Sequence, residues 1–519
     1  MAGRSAPSDH KSANSQDPLS LVKVPPRRSG RFPKTASSQI LPLIEIDRNS
    51  GAPLHRQVYD AYRAAIYRGD LRPGQRVSSS RVLADEIRIS RAPVLEAYAQ
   101  LLAEGYFESR GGVGTFIAHS LPEQLTSANR HVKTLSGLRA VSRGSSLYSP
   151  CNVASINRTC GAFVVHQPAF DQFPFNIWSD LAARHSRNPH ASALQHVSPL
   201  GLERVRSEIC AYLRGARAVQ CDPGQIMIVS GSQQALDITV RVLLDPGCQV
   251  FLEEPGYSLQ RSILQAAGCR LVPVPVDQEG MNIGLAMDRG LRARAAFVTP
   301  SHQYPLGWTM SATRRLHLLT WAQTTGAWIV EDDCGSEYRY DGSPIRSVQG
   351  MDANSRVIYI GTFSKALFPS LRVGYVVIPH DLVERFCAVR FAMDIFPPYL
   401  YQEVLADFMS QGHFGRHIRK MRKLYGERRK VLMANLRGVF GDMLEVHGAE
   451  AGMHLTVTLP GGHRDTEIAV KAFHSGIGLL PLSPFYWKGP ARHGFLLGFG
   501  SAPVDQIPAA VGAMRALLG

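Results

Sequence analysis

Five short apolar runs recur between residues 226 and 365, each closed by polar residues or glycine: IMIVSG, QVFLEEPGY, AAFVTPS, AWIVEDD and VIYIGTFSK. Runs this short are strand-length, and they lack the alternation of a strand with one wet face. Helical stretches separate them. Near-continuous apolar strands between helices predict a buried, mostly parallel sheet, that is, an α/β domain. Such sheets bind ligands beyond the carboxyl ends of their strands. The polar residues that close each run are therefore candidate site residues.

The chain is 519 residues long, and at about 150 residues per domain that leaves room for more than one domain. Residues 41–118 carry a different pattern. Leu54, Val58, Tyr62, Ala65 and Ile66 share a helical face. An RPGQ turn follows, with Pro73 fixing φ and Gly74 free to take any. Ser79 and Ser80 are placed to cap a second helix, and Ser90 a third, in which Val94, Ala97, Tyr98, Leu101 and Leu102 repeat. YFESRGGVGTFIA then predicts a hairpin turning at Gly111-Gly112. Three helices and a hairpin make a winged helix-turn-helix. Four segments are expected: an arm over 1–39, the reader over 40–118, a linker over 119–165 and the α/β domain over 166–519.

Charge sharpens the classes. The net charge is +15, with seven basic against two acidic residues in 1–40 and nine against one in 411–437. Residues 1–39 show no apolar period and are expected to form a disordered basic arm, either idle or attracting phosphate. The segment GHFGRHIRKMRKLYGERRK is an amphipathic helix, its basic side either a solvated face or a DNA-backbone surface. No run of 18 apolar residues exists, and the start has no apolar block of signal type, so neither a membrane span nor secretion is expected. Eight scattered cysteines without a C-x-x-C pair argue for reduced thiols in a cytoplasmic protein, with no metal site.

Three strand ends carry chemistry. Gly231, Ser232 and Gln233 would present free N–H groups at a helix start, a cradle for phosphate or a plain turn. Asp332 ends an apolar strand, where a charge is costly without a partner. Lys365 lies just past another strand, with Arg372 seven residues on, and a near-buried lysine implies covalent or ion-pair work. T-x-x-K also fits a serine/lysine acylation motif loosely, but position 362 is Thr and no S-D-N or K-T-G accompanies it.

Residues 170–519 resemble a fold-type I aminotransferase through FPFNIWSDL, SPLGLERVRSEICAYL, GSQQALD, EEPGY, TPSHQYPLGWTMS, EDDCGSEYRYDG, GTFSKALFPSLRVGY and LLGFG. With residues 50–118, which resemble a GntR-type reader, the chain resembles a MocR-type transcription regulator. The resemblance implies a multidomain fold: an N-terminal winged helix-turn-helix plus an α/β fold-type I PLP-dependent aminotransferase-like domain with large and small subdomains. It implies pyridoxal 5′-phosphate. Lys365 matches the Schiff-base lysine, Asp332 the carboxylate on the pyridine nitrogen, and Tyr257 the stacking aromatic. Ser232, Gln233, Thr362 and Arg372 match phosphate-binding positions, and His302 and Tyr304 sit on the turn that carries an Asn in ordinary aminotransferases. In the reader, Ser79, Arg81, Ser90 and Arg91 match DNA-contacting positions, and Gly112 and Thr115 match the wing. Arg91 is placed to read a guanine edge or to hold a phosphate.

Departures from the family pattern matter as much. Cys334 stands where a Tyr donates to the cofactor's O3′, and a thiol donates weakly. Leu496 stands where an Arg grips the substrate carboxylate, with Arg492 and His493 as nearby candidates to replace it. Ala92-Pro93 and Leu95 replace Thr-Thr and Arg in the recognition helix; Pro93 has no N–H, leaves Ser90 only Ala92 to cap, and predicts a helix that starts late. Three functions follow in order: a cytoplasmic regulator that binds double-stranded operator DNA as a homodimer and senses PLP or an amino compound; an aminotransferase with an appended reader; a scaffold without PLP.

Overall fold

The computed structural model describes residues 44–119, 142, 144–148, 161–189, 195, 198–341, 345–461 and 463–519. The arm over 1–39 and most of the 119–165 segment lie outside the described residues. The chain divides into two compact units, at Arg139 and Ala140.

The first unit contains helices α1 (Leu54–Arg68), α2 (Ser80–Glu86) and α3 (Arg91–Ala103) and the antiparallel hairpin β1 (Phe107–Arg110) and β2 (Gly114–Ile117). Its core is built on three aromatic rings. Tyr62, Tyr98 and Phe107 meet edge to face with centroids 5.2–5.6 Å apart. Their polar ends are satisfied: the Tyr98 hydroxyl donates to the Ser78 carbonyl at 2.9 Å and lies 2.9 Å from the Tyr62 hydroxyl. Ser79 caps α2 by accepting from the Val82 N–H at 3.3 Å. At α3 two expectations fail. Ser90 makes no side-chain cap bond, and the helix starts at Arg91 rather than late. Pro93 is the third helical residue, where the missing N–H has no intrahelical acceptor anyway, and its ring faces a carbonyl that precedes the helix. Proline therefore neither breaks nor delays this helix.

The second unit is an α/β domain. Its large sheet has the order β3-β10-β9-β8-β7-β4-β5-β6, from β3 (Ile226–Val229), β4 (Gln249–Glu254), β5 (Arg270–Asp277), β6 (Gly280–Met281), β7 (Ala295–Val298), β8 (Trp328–Asp332), β9 (Val357–Thr362) and β10 (Gly374–Val377). The strands β9, β8, β7, β4 and β5 pair in parallel, whereas β10 runs antiparallel to both β3 and β9. Every residue of β3, β7, β8, β9 and β10 is buried, which explains their unbroken apolar character. A smaller antiparallel sheet has the order β11-β12-β14-β13, from β11 (Glu445–His447), β12 (His454–Thr458), β13 (Leu480–Pro481) and β14 (Gly494–Gly498). Ala162 and Phe163 already bridge to Ile477 and Gly498, so this sheet's packing begins within the segment read as linker.

The basic segment lies on the 28-residue helix His413–Phe440. It buries Phe414, Ile418, Met421, Tyr425 and Leu432. Part of its charge works inward: Arg422 donates to the Glu337 carbonyl at 2.8 Å, Arg428 to that of Gly500, and Arg429 pairs with Asp341. Among the described residues no helix is long and apolar enough to cross a membrane.

Candidate functional site

The strands of the large sheet end together, and their closing residues wall one cavity of ≈ 190 Å³. Ser232, Gln233, Tyr257, His302, Tyr304, Asp332, Cys334, Thr362, Lys365 and Arg372 all line it. These are the ten residues that the sequence assigned to the cofactor. His166, Gln260, Thr299 and Ser364 line it as well and were not singled out.

One end is built for an anion. β3 passes into the helix Ser232–Leu243 through Gly231 at φ +97°, a conformation that favours glycine. A Cβ there would lie 3.1 Å from the Arg372 guanidinium, which folds over the helix start and donates to the Ser230 carbonyl. The start of the helix, with its free N–H groups and dipole, lies at this end of the cavity, which Arg372 and the hydroxyl-bearing Ser232, Thr362 and Ser364 also line. Thr362 and Ser364 hold each other at 3.1 Å. Gln233 Nε2 donates to the Tyr257 hydroxyl at 3.1 Å and so fixes that ring.

The middle of the cavity holds Asp332, and its orientation follows from strand geometry. Side chains alternate along β8 and its continuation, so Glu331 and Asp333 point away from the face that Asp332 uses. Both are pinned on that far side. Glu331 accepts from the Val348 and Gln349 N–H groups at 2.9 Å each. Asp333 takes a two-pronged grip from Arg217, at 2.8 and 3.0 Å, and a 2.8 Å bond from Ser336. Burial opposes the Asp333 charge, but Arg217 with the Ser301 and Tyr359 hydroxyls more than offsets it and holds its carboxyl below the usual range. Asp332 Oδ1, by contrast, is buried with no hydrogen-bond partner. Burial pushes Asp332 up to about 6, against the pull of Lys365. A buried carboxylate oxygen without a donor is a place for a cationic or N–H-bearing group.

Cys334 lies within bonding reach of both Asp332 and Lys365. Burial pushes its thiol up to about 12, so it is a neutral weak donor to Asp332 and a weak acceptor toward Lys365.

The third wall is the turn after β7. Glu253, at the end of β4, accepts from the Thr299 N–H at 3.1 Å, the Thr299 hydroxyl at 2.6 Å and Gln303 Nε2 at 3.2 Å. These bonds fix the turn that carries His302 and Tyr304. The Tyr304 hydroxyl lies 3.0 Å from His166 Nε2, and its ring lies 6.0 Å from Lys365 Nζ. Sequence reasoning missed both supports. Glu253 gives the same signal as Asp332, a charge closing an apolar run. His166 gives none, since it lies in a stretch without period and reaches the cavity only through the fold.

The residues named as replacements for the missing arginine do not reach the cavity. Arg492 is exposed, and His493 Nδ1 pairs with Asp465 Oδ1 at 3.1 Å. Both precede β14, and the contact of His493 is with Asp465 at the start of a neighbouring helix.

In the first unit the starts of α2 and α3 meet. Arg91 Nε donates to Ser80 Oγ at 3.0 Å, and Ser79, Arg81, Ser90 and Arg91 are all exposed. Gly112, at φ +74°, and Thr115 lie on the hairpin, the first in its turn and the second paired with Ser109. Among the described residues no cluster of His, Cys, Asp and Glu could hold a metal ion.

Comparison with known proteins gives matches to both units. Residues 54–117 match the family described as bacterial regulatory proteins, gntR family, and residues 181–492 match aminotransferase class I and II. The chain is 38% identical over 473 residues to the probable rhizopine catabolism regulatory protein MocR of Rhizobium meliloti, covering 91% of this chain and 95% of that protein. It is 29% identical to the pyridoxine biosynthesis transcriptional regulator PdxR of Corynebacterium glutamicum, covering 89% and 96%. Among solved structures, kynurenine aminotransferase of Pyrococcus horikoshii, crystallised with PMP, superposes with a TM-score of 0.67 at 26% identity, over 73% of this chain and 96% of that one.

Proposed function

This chain belongs to the MocR-type regulators, in which a gntR-family DNA reader precedes an aminotransferase class I and II domain, and from that premise we propose that its second unit senses PLP or an amino compound and sets the operator affinity of its first. The protein is a DNA-binding transcription regulator whose cofactor is pyridoxal 5′-phosphate. It acts as a cytoplasmic homodimer on double-stranded DNA. Lys365 forms the covalent bond to the cofactor and Asp332 holds the pyridine nitrogen. Ser232, Gln233, Thr362 and Arg372 would take the phosphate and Tyr257 would stack on the ring, with His302, Tyr304 and Cys334 completing the lining of the cavity that would hold it. Ser79, Arg81, Ser90, Arg91, Gly112 and Thr115 contact DNA.

The residues present suit the cofactor. The anion cradle and the unpartnered Asp332 oxygen match a group with a phosphate at one end and a protonated ring nitrogen at the other. When bound, that group supplies an electron sink for carbon chemistry beside an amine. This chain's residues would bind and orient it: Asp332 would hold the ring nitrogen in its protonated form, and Lys365 would provide the amine that anchors the group.

The observation that carries sensing over turnover is Leu496, which is fully buried among apolar side chains. An enzyme working on amino acids orients its substrate by a carboxylate grip, and orientation contributes strongly to rate. A sensor does not need it. A visible absorption spectrum of the purified protein, repeated with amines and with operator DNA, tests the proposal. Borohydride reduction and peptide mapping should place the cofactor on Lys365; label on another lysine overturns the assignment. Operator affinity that ignores both cofactor and amines overturns sensing.

A further inference from the structure

His166 stands in a backbone conformation that its residue type does not favour. Its φ is +68°, in the left-handed region that glycine enters freely and other L-residues enter at a steric cost. The chain around it is pinned. Ala162 bridges Ile477 and Phe163 bridges Gly498, and the Gly478 and Gly498 N–H groups donate to the Ala162 and Phe163 carbonyls at 2.8 and 2.9 Å. A Cβ at Gly498 would collide with the Val164 carbonyl oxygen, and one at Gly500 with that of Gln167. The backbone on both sides of His166 thus runs in direct contact with the end of β14. Stability alone favours glycine at such a place, and a side chain held there is explained by what it touches.

His166 touches Tyr304. Its Nε2 lies 3.0 Å from the Tyr304 hydroxyl, with the ring centroids 5.1 Å apart. Tyr304 in turn meets Tyr257 edge to face at 5.8 Å, and Lys365 Nζ lies 6.0 Å from its ring centre. Tyr304 therefore connects His166 to the two residues assigned to the ring face and to the covalent bond. The bond joins neutral partners. Burial first, then Lys365, His454 and His302, hold the His166 imidazole well below the ordinary range. His302 and His454 are held down in the same way, with rings 4.6 Å apart, and His454 lies 6.2 Å from His166. Burial keeps the Tyr304 phenol protonated. Neither partner changes charge near neutral pH, so the contact is a fixed link and not a pH switch.

The place of His166 in the chain gives this link its consequence. In chain order it is the first residue to line the cavity, and it follows directly on the segment that leads from the first unit. We propose that His166 is a positioning residue: its ring holds Tyr304 in the cofactor cavity, and its pinned backbone ties that contact to the segment joining the two units. A group that fills the cavity meets Tyr304, and a shifted Tyr304 draws on His166. The tie rests on the sensing reading above; the hold on Tyr304 needs only PLP at Lys365.

The full-length protein carries the test. PLP affinity is read from the visible band for wild type, His166→Gly, Tyr304→Phe and the double variant. Each single substitution should weaken PLP several-fold. The double variant should be no weaker than the weaker single, because both remove one bond. Losses that multiply, or no loss in His166→Gly, overturn the proposal. His166→Asn tolerates the left-handed backbone but is too short to reach Tyr304, so it should match His166→Gly. Full affinity in the asparagine variant would trace the loss to backbone freedom and overturn the role of the ring. Operator affinity is then measured with and without saturating PLP. The wild-type ratio should move at least halfway to unity, on a logarithmic scale, in His166→Gly; an unchanged ratio overturns the tie to the reader. No response in wild type overturns the sensing reading and the tie with it, while a non-additive cycle still supports the hold on Tyr304.

Discussion

Neighbouring acids in EDD have opposite fates because a strand turns them to opposite faces. Asp333 is paired and Asp332 is not, and each supports a prediction. Arg217 is the main partner of Asp333, and both are buried. Arg217→Ala leaves a buried carboxylate uncompensated, which should destabilise the second unit by about 3–5 kcal/mol. Denaturant unfolding checks this, and a loss under about 1 kcal/mol would show the pair to be dispensable. Asp332 titrates at about 6, above its ordinary 3.8. The cofactor-free folded protein therefore holds this proton more tightly than the unfolded chain, and stability falls as pH rises from about 4 to about 6. Asparagine has no such term. The Tm of cofactor-free Asp332→Asn should exceed wild type by a margin that grows across that window and is flat above it. A margin independent of pH between 4 and 8 contradicts the assignment. The same variant should bind PLP more weakly, since the ring nitrogen loses its counter-charge.

Two junctions between elements set the functional geometry. At the start of the helix Ser232–Leu243, Gly231 combines a positive φ with close approach to Arg372. Gly231→Ala should cost about 1–2 kcal/mol of strain and displace the guanidinium. PLP affinity measured by the visible band should fall, and an unchanged affinity would remove Arg372 from the cradle. At the start of α3, Arg91 is held to Ser80 and exposed. Arg91→Ala should weaken specific operator binding by about 1–3 kcal/mol if the side chain reads a base. Binding isotherms on operator and on unrelated DNA decide its role. An equal loss on both, with a shallower salt slope, makes it a phosphate contact. Pro93 shows how position rules an element: the residue that ends a helix in mid-course is harmless in its first turn.

At the scale of the molecule, a reader and a sensor share one chain, and their division of labour follows from what each lacks. The first unit offers exposed arginine and serine at two helix starts and no cavity chemistry. The second has a cavity at the strand ends, lined by Lys365, Asp332 and Arg372, and a buried leucine at position 496 in place of a substrate grip. Steady transamination should accordingly be slow. With any common amino acid and oxoacid, single-turnover spectral change is expected without sustained product formation in a coupled assay. Robust multiple turnover would favour the enzyme reading.

The sequence by itself determined the two folds and ten of the fourteen residues that line the cavity: strand-end position singled out Ser232, Gln233, Asp332, Lys365 and Arg372, where a buried sheet meets solvent, and the family resemblance supplied Tyr257, His302, Tyr304, Cys334 and Thr362. It also determined that position 496 carries no charge. What it left open were the meetings of distant segments. His166 on Tyr304, Glu253 under the Thr299 turn, Arg217 behind Asp333 and the three neutral imidazoles join stretches up to 288 residues apart, from His166 to His454. Local periodicity says which face of an element is buried. It does not say against what, and hydrogen-bond partners and desolvation, hence every shifted pKa, depend on that alone. The start of α3 and the fate of Arg492 and His493 were decided in the same way, by position in the fold rather than by residue type.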